Sequence, residues 1–127
     1  MTAASLQNAE AALVALKSFL SQPVGSDRDR AGVIQAFEFS FEAVWKLLKA
    51  VAEREGLAAE SPRRAIVAAY KLGLIDDEAI WIAMLNDRNL TSHTYHQQVA
   101  QRIFEGIRSN YAAALSAAVA ACRALPA

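Results

Sequence analysis

Eight consecutive residues, Arg88-Asn89-Leu90-Thr91-Ser92-His93-Thr94-Tyr95, bring together a permanent cation, a carboxamide, three small hydroxyls, an imidazole and a phenol. A guanidinium neutralises phosphate charge through paired N–H donors. An imidazole moves a proton near neutral pH. Arg88 and His93, with four residues between them, therefore suit work on a phosphodiester. No other stretch of the chain concentrates reactive side chains in this way. Taken singly, the same residues have ordinary structural uses. Arg and His offset the dipole at a helix C-terminus, and Thr and Ser cap helices. Their co-location is what points to a site.

Geometry adds a condition. On a continuous helix Arg88 and His93 would lie about 140° apart around the axis, too far to serve one substrate atom. Either the chain bends near Thr91 and Ser92, or a second copy of the segment completes the site. His93 and His96 are three residues apart, but no placed carboxylate joins them, so a zinc site is not expected. Glu38 and Glu42 share a helix face with Lys46 and Lys49 below them. Glu42 with Lys46 reads as an ordinary stabilising pair on a solvated face rather than acid/base machinery.

The elements that must position this segment are helical by pattern. Leu6, Ala9, Leu13, Leu16 and Leu20 recur at helical spacing and predict a first helix over residues 3–20. The stretch 21–26, with Pro23 and Gly25, reads as a loop. A long second helix over 28–55 carries one stripe of Ile34, Phe37, Phe41, Val44, Trp45, Leu48 and Ala52, and a second of Val33, Phe39, Ala43, Leu47 and Ala50. A helix apolar on two sides must be covered on two sides, either by the rest of a bundle or by a second subunit. Gly56 is a natural residue to end it.

Ser61-Pro62 starts a third helix, with Ser as N-cap and Pro in the first turn. Gly73 ends it. Arg63 and Arg64 stand in its first turn, the unfavourable end for the dipole, a cost that binding an RNA backbone or an acidic partner would offset. Asp76-Asp77-Glu78 opens a fourth helix, which buries Ile80, Trp81, Met84 and Leu85 before Arg88. A break is expected between Leu90 and Thr94. Thr94-x-x-Gln97 fits a capping box and predicts the start of a fifth helix there. That helix carries Val99, Ile103, Ile107, Tyr111, Leu115, Ala118, Cys122 and Leu125, and Pro126 stops it.

A chain of 127 residues that is 54% apolar is large enough for one real core. The expectation is one domain, residues 1–127, an all-α up-and-down bundle of four to five helices. Zero net charge argues against binding nucleic acid through bulk charge, yet Arg28, Arg30, Lys46, Lys49, Arg63, Arg64 and Arg88 gather in the middle of the chain. One cysteine, Cys122, allows no intramolecular disulfide and falls on an apolar stripe. No leader pattern opens the sequence and no 18-residue apolar run crosses it, so a cytoplasmic protein is expected.

The segment Arg88 to Tyr95 follows a pattern of Arg, four residues, His, one residue, Tyr, and so resembles the HEPN family. It is most similar to the HepT-like branch whose members pair with a small MNT-type nucleotidyltransferase. Three other segments look like that branch: Phe37-Glu38-Phe39-Ser40-Phe41-Glu42 running to Trp45-Lys46; Ser61-Pro62-Arg63; and Gly73-Leu74-Ile75-Asp76-Asp77. The likeness covers roughly residues 27–95.

The resemblance implies a homodimer in which two such segments line one groove. It implies a metal-independent endoribonuclease toxin of a type VII-like HEPN/MNT toxin–antitoxin pair, acting on cellular RNA with transfer RNA the natural candidate, and using no cofactor. Arg88, His93 and Asn89 would be catalytic. Arg63, Arg64 and Lys46 would contact RNA or the partner. The nucleotidyltransferase would neutralise the toxin by transferring AMP to Tyr95. The alternatives are a non-catalytic substrate-binding or regulatory subunit of that nucleotidyltransferase, and a plain helical interaction module whose polar segment is only a helix junction.

Overall fold

The computed structural model describes residues 1–126, and every regular element among them is helical. Helix α1 spans Ala3–Ser21 and opens on a capping box between Thr2 and Ser5. Helix α2 spans Asp27–Arg54, with the Ser26 hydroxyl accepting from the Asp29 N–H at 3.1 Å. Gly56 ends it in the left-handed region (φ 82°), which lets the Leu57 N–H reach back to the Ala52 carbonyl at 2.9 Å. Helix α3, Pro62–Lys71, starts as expected on Ser61 as cap and Pro62 in the first turn. Helix α4, Glu78–Asn89, is capped by Asp77, whose carboxylate accepts from the Ile80 N–H. A short 3₁₀ turn, Thr91–His93, falls in the interval where the break was expected. Helix α5, Gln97–Gly106, a π turn, Ile107–Tyr111, and helix α6, Ala112–Arg123, follow without interruption, so the chain makes five rods.

Two features of the last rod differ from the sequence expectation. Thr94 is not its cap. Thr94 has right-handed helical torsion angles, and its hydroxyl donates backwards to the Thr91 carbonyl at 3.0 Å. An N-cap needs extended backbone, and His96 supplies it (φ −82°, ψ 114°) without a side-chain cap bond. The 3₁₀ turn thus delays the helix start. The π turn was also not foreseen, although the apolar spacing contains a signal for it. Ile103, Ile107, Tyr111 and Leu115 are all buried and recur at strict intervals of four. In a regular α-helix each such interval overshoots a full turn by about 40°. The wider π turn absorbs that drift and keeps all four facing the core.

Helix α2 is the central rod and packs against α1, α3, α5 and α6, while α3 packs on α4 and α1 on α6. The wholly buried Ser40 hydroxyl donates to the Ala12 carbonyl at 3.1 Å, tying α1 to α2. Both stripes of α2 are largely covered within one chain: Val33 and Leu47 are buried with the main stripe, and Phe39, 64% exposed, stands out. Aromatic rings form the middle of the core. Tyr111 stacks on Phe37 (centroids 5.8 Å), Phe37 meets Phe41 at 6.2 Å, and Phe41 meets Trp81 at 6.4 Å. Burying a ring such as Phe41 contributes about 1.5–3 kcal/mol, and truncating it to alanine would cost about 3–5 kcal/mol. Cys122 is buried, and burial pushes its thiol up to about 11. Among the described residues no helix is long and apolar enough to cross a membrane.

Candidate functional site

The site is built where α4 runs out. Leu90 leaves the α-helical path, and three local hydrogen bonds tighten the chain into the 3₁₀ turn. The Thr91 hydroxyl donates to the Arg88 carbonyl at 2.8 Å, the His93 N–H to the Leu90 carbonyl at 2.9 Å, and the Thr94 hydroxyl to the Thr91 carbonyl. These donors, two hydroxyls and one backbone N–H, satisfy carbonyls at and just beyond the end of the helix. They also make the bend that Arg88 and His93 need if they are to work together.

Arg88 turns toward α2. Its Nη2 donates to Glu42 Oε2 at 2.7 Å, and its guanidinium carbon lies 5.6 Å from the centroid of the Phe41 ring. Its Nη1 reaches Asn89 Oδ1 at 3.4 Å, a long contact. The Arg88 side chain keeps 31% of its surface exposed. Glu42 has further partners: the Trp45 indole N–H donates to Oε2 at 3.1 Å, and Lys46 Nζ lies 3.3 Å from Oε1. Partial burial pushes the Glu42 carboxyl up, but the Trp45 and Lys46 donors and the Arg88 charge outweigh it and hold it below its usual value.

Next to Arg88 in sequence, Asp87 turns the other way and is buried. Its Oδ2 accepts from the Tyr111 hydroxyl at 2.6 Å, and its Oδ1 from Arg102 Nη1 at 2.8 Å. Burial and the Asp87 carboxylate together raise the Tyr111 phenol far above its ordinary value. Two consecutive residues thus fasten the end of α4 to α2 on one side and to the last rod on the other.

His93 is exposed, with its ring 6.1 Å from that of Tyr95. The Tyr95 ring in turn lies 4.3 Å from that of His96, and the residue is 74% exposed. Within one chain no hydrogen bond joins Arg88 to His93 among the described residues; Arg88 faces α2 and His93 faces Tyr95. Tyr95 also borders a groove between the start of α2 and the start of α5, lined by Arg30, Ile34, Thr94 and Gln97. There Arg30 bonds Asp27 at 3.0 Å and Gln101 at 2.9 Å.

Of the three candidate contact residues, Lys46 is brought to the site through Glu42. Arg63 and Arg64 are not. They line a separate shallow groove with Leu57, Val67 and Lys71, and Arg64 is paired with Glu60 at 2.8 Å. Among the described residues no cluster of three His, Cys, Asp or Glu side chains could hold a metal ion. Sequence reasoning read Glu42 only as the partner of Lys46 and Tyr111 only as a member of an apolar stripe, and it passed over Asp87 and Arg102. Asp87 did leave a signal: it follows the buried Trp81 and Met84 at helical spacing, a carboxylate on an apolar stripe.

The family model described as nucleotidyltransferase substrate binding protein like matches residues 4–123. A probable ribonuclease HepT of Haemophilus influenzae is 34% identical over 82 residues, which is 61% of this chain. The match spans just over half, 56%, of that relative's length. A crystal structure from Thermus thermophilus superposes with a TM-score of 0.83 at 37% identity, covering 91% of this chain and 98% of that one. A Haemophilus influenzae structure, described as revealing the fold of a substrate binding domain of a nucleotidyltransferase, superposes with a TM-score of 0.80 at 28% identity, covering 93% and 98%.

Proposed function

The chain belongs to the family of nucleotidyltransferase substrate binding protein-like domains, and from that premise we propose that it is a metal-independent endoribonuclease toxin whose antitoxin is an MNT-type nucleotidyltransferase. The observation that carries this reading is the constellation at the α4–α5 break: a partly exposed guanidinium in the last turn of α4, fixed by a carboxylate, and an exposed imidazole in the 3₁₀ turn that follows. The probable ribonuclease among its relatives supports it.

In the proposed reaction the 2′-hydroxyl of RNA attacks the adjacent phosphorus. His93 accepts the hydroxyl proton as general base, or donates one to the departing 5′-oxygen as general acid. Arg88 stabilises the charge that builds on the phosphorane oxygens. Asn89, already touching Arg88, orients phosphate or the imidazole. The P–O5′ bond breaks, leaving a 2′,3′-cyclic phosphate and a 5′-hydroxyl. Because Arg88 and His93 face different neighbours within one chain, the reading places two copies about a shared groove, the Arg88 of one near the His93 of the other. Transfer RNA is the proposed target.

Neutralisation follows from Tyr95. Its exposed phenol is open to a partner enzyme that transfers AMP from ATP and releases pyrophosphate. The added phosphate and adenosine would block the groove by charge and bulk. The test is expression of wild type and His93→Ala in cells lacking the partner. Growth arrest should depend on the imidazole, and extracted RNA should carry new 2′,3′-cyclic phosphate ends. Equal toxicity of the two would end the nuclease reading.

The second reading is a non-catalytic subunit that presents substrate to the nucleotidyltransferase. The likeness to a nucleotidyltransferase's substrate binding domain favours it. It predicts a stable complex with that enzyme and no RNA cleavage by the chain alone.

A further inference from the structure

Resting on the reading of Arg88 as the charge-stabilising group, we propose that Glu42 is its positioning residue: a carboxylate, itself held in place on α2, that sets the guanidinium at the angle in which it meets a phosphate. Phe41, Glu42, Trp45 and Lys46 make a unit on one side of the central helix. Trp45 and Lys46 lie one turn beyond Glu42 and so reach the same carboxylate. Trp45 donates to it at 3.1 Å and Lys46 stands 3.3 Å away. Because Trp45 is buried, its indole N–H is a fixed donor, and it fixes the carboxylate in turn. Phe41 lies under the guanidinium and blocks one of its faces.

The contact between Arg88 and Glu42 is made through one nitrogen. Nη2 meets Oε2 at 2.7 Å, and no fork-on-fork pair forms. A bidentate pair would occupy the edge of the guanidinium that phosphate needs. A single-nitrogen contact orients the group and leaves further N–H donors for the substrate. The charges agree with this. Glu42 carries one negative charge against the positive charges of Arg88 and Lys46, so the cluster stays cationic. A carboxylate placed to quench Arg88 would leave no such excess. Glu42 therefore acts through Arg88.

Single-turnover cleavage of a fluorogenic RNA oligonucleotide by the full chain tests this, using wild type, Glu42→Gln, Glu42→Ala, Arg88→Ala and the double variant Glu42→Gln/Arg88→Ala. Misaligning the guanidinium should lower the chemical rate of Glu42→Gln by about tenfold and of Glu42→Ala by up to about a hundredfold. KM should change by less than about threefold, because ground-state contacts survive. In the Arg88→Ala background Glu42→Gln should have no further effect, since the two act as a unit. Wild-type or faster cleavage by Glu42→Gln overturns the proposal, as does an equal loss with and without Arg88. Undiminished cleavage by Arg88→Ala instead overturns the catalytic assignment of Arg88. Nitrogen-15 spectra of the arginine side chains read the restraint without any cleavage. Resolved Nη signals for Arg88 in wild type should collapse to one in Glu42→Gln. A single averaged Nη signal already present in wild type also overturns the proposal.

Discussion

The hydroxyl of Tyr111 donates a 2.6 Å hydrogen bond to Asp87, and neither residue has appreciable contact with solvent. This bond ties the π turn of the last rod to the residue that precedes Arg88. Tyr111→Phe should keep the ring stack with Phe37 but leave Asp87 Oδ2 without its partner. An unsatisfied buried acceptor costs about 1–3 kcal/mol, more when charged, and urea unfolding of the two proteins will read it. RNA cleavage should fall as well, because Arg102 alone is left to fasten Asp87 and the end of α4 to the last rod.

The same tyrosine sets an alkaline limit. Its folded pKa lies above its unfolded value near 10, so the stability it contributes is whole below about pH 10. Above that the unfolded chain releases its proton while the folded one retains it, and stability falls as pH rises. Unfolding free energy measured from pH 8 to 11 should decline, and Tyr111→Phe should remove the tyrosine's share of the decline while starting from a lower plateau. A parallel decline in both proteins would contradict the assignment.

Gly106 is needed for the position of Tyr111. A β-carbon there would meet the Tyr111 ring at 2.7 and 2.9 Å. Alanine favours a helix interior over glycine by up to about 1 kcal/mol, so propensity alone predicts stabilisation. The clash should win, because the ring is packed against Phe37 and bonded to Asp87. Gly106→Ala should destabilise by about 1–3 kcal/mol, read as a lowered melting temperature.

His93 is exposed, so replacing it should leave the fold unaffected. His93→Ala should melt with wild type yet lose about 10²–10⁴-fold in cleavage rate if the imidazole is the proton carrier. A loss of both stability and activity would point to a structural role.

Incubation with the partner enzyme and ATP should add one AMP mass to the chain and none to Tyr95→Phe. An unmodified wild type would remove the covalent control but leave the nuclease. The modified protein should also bind RNA more weakly, with the difference shrinking as salt rises.

Much of the fold was legible because it rests on short-range rules. Ser61 with Pro62, Asp77, Gly56 and Gly73 mark helix ends through local hydrogen bonds and torsion preferences, and the structure puts the ends there. The break before His93 was legible for the same reason. Thr94 misled because a side chain that can cap forwards can equally bond backwards, and the 3₁₀ turn decided between the two. Arg88 and His93 were legible as candidates, but not which way each faces. Glu42 looked like the partner of Lys46 alone, since a pair four residues apart is visible in sequence and a contact 46 residues away is not. Tyr111 read only as an apolar-stripe residue and Arg102 escaped notice, because each reaches Asp87 from another rod.

The single thiol of the chain sits sealed in the core, with its proton held well beyond neutral pH. In its native form the molecule is therefore expected to react slowly with alkylating reagents. A cysteine introduced at the exposed Ser92 would be the one handle available to a nitroxide. Dipolar coupling between two such labels would then measure how far apart the turns of two copies lie, against a background that contributes little.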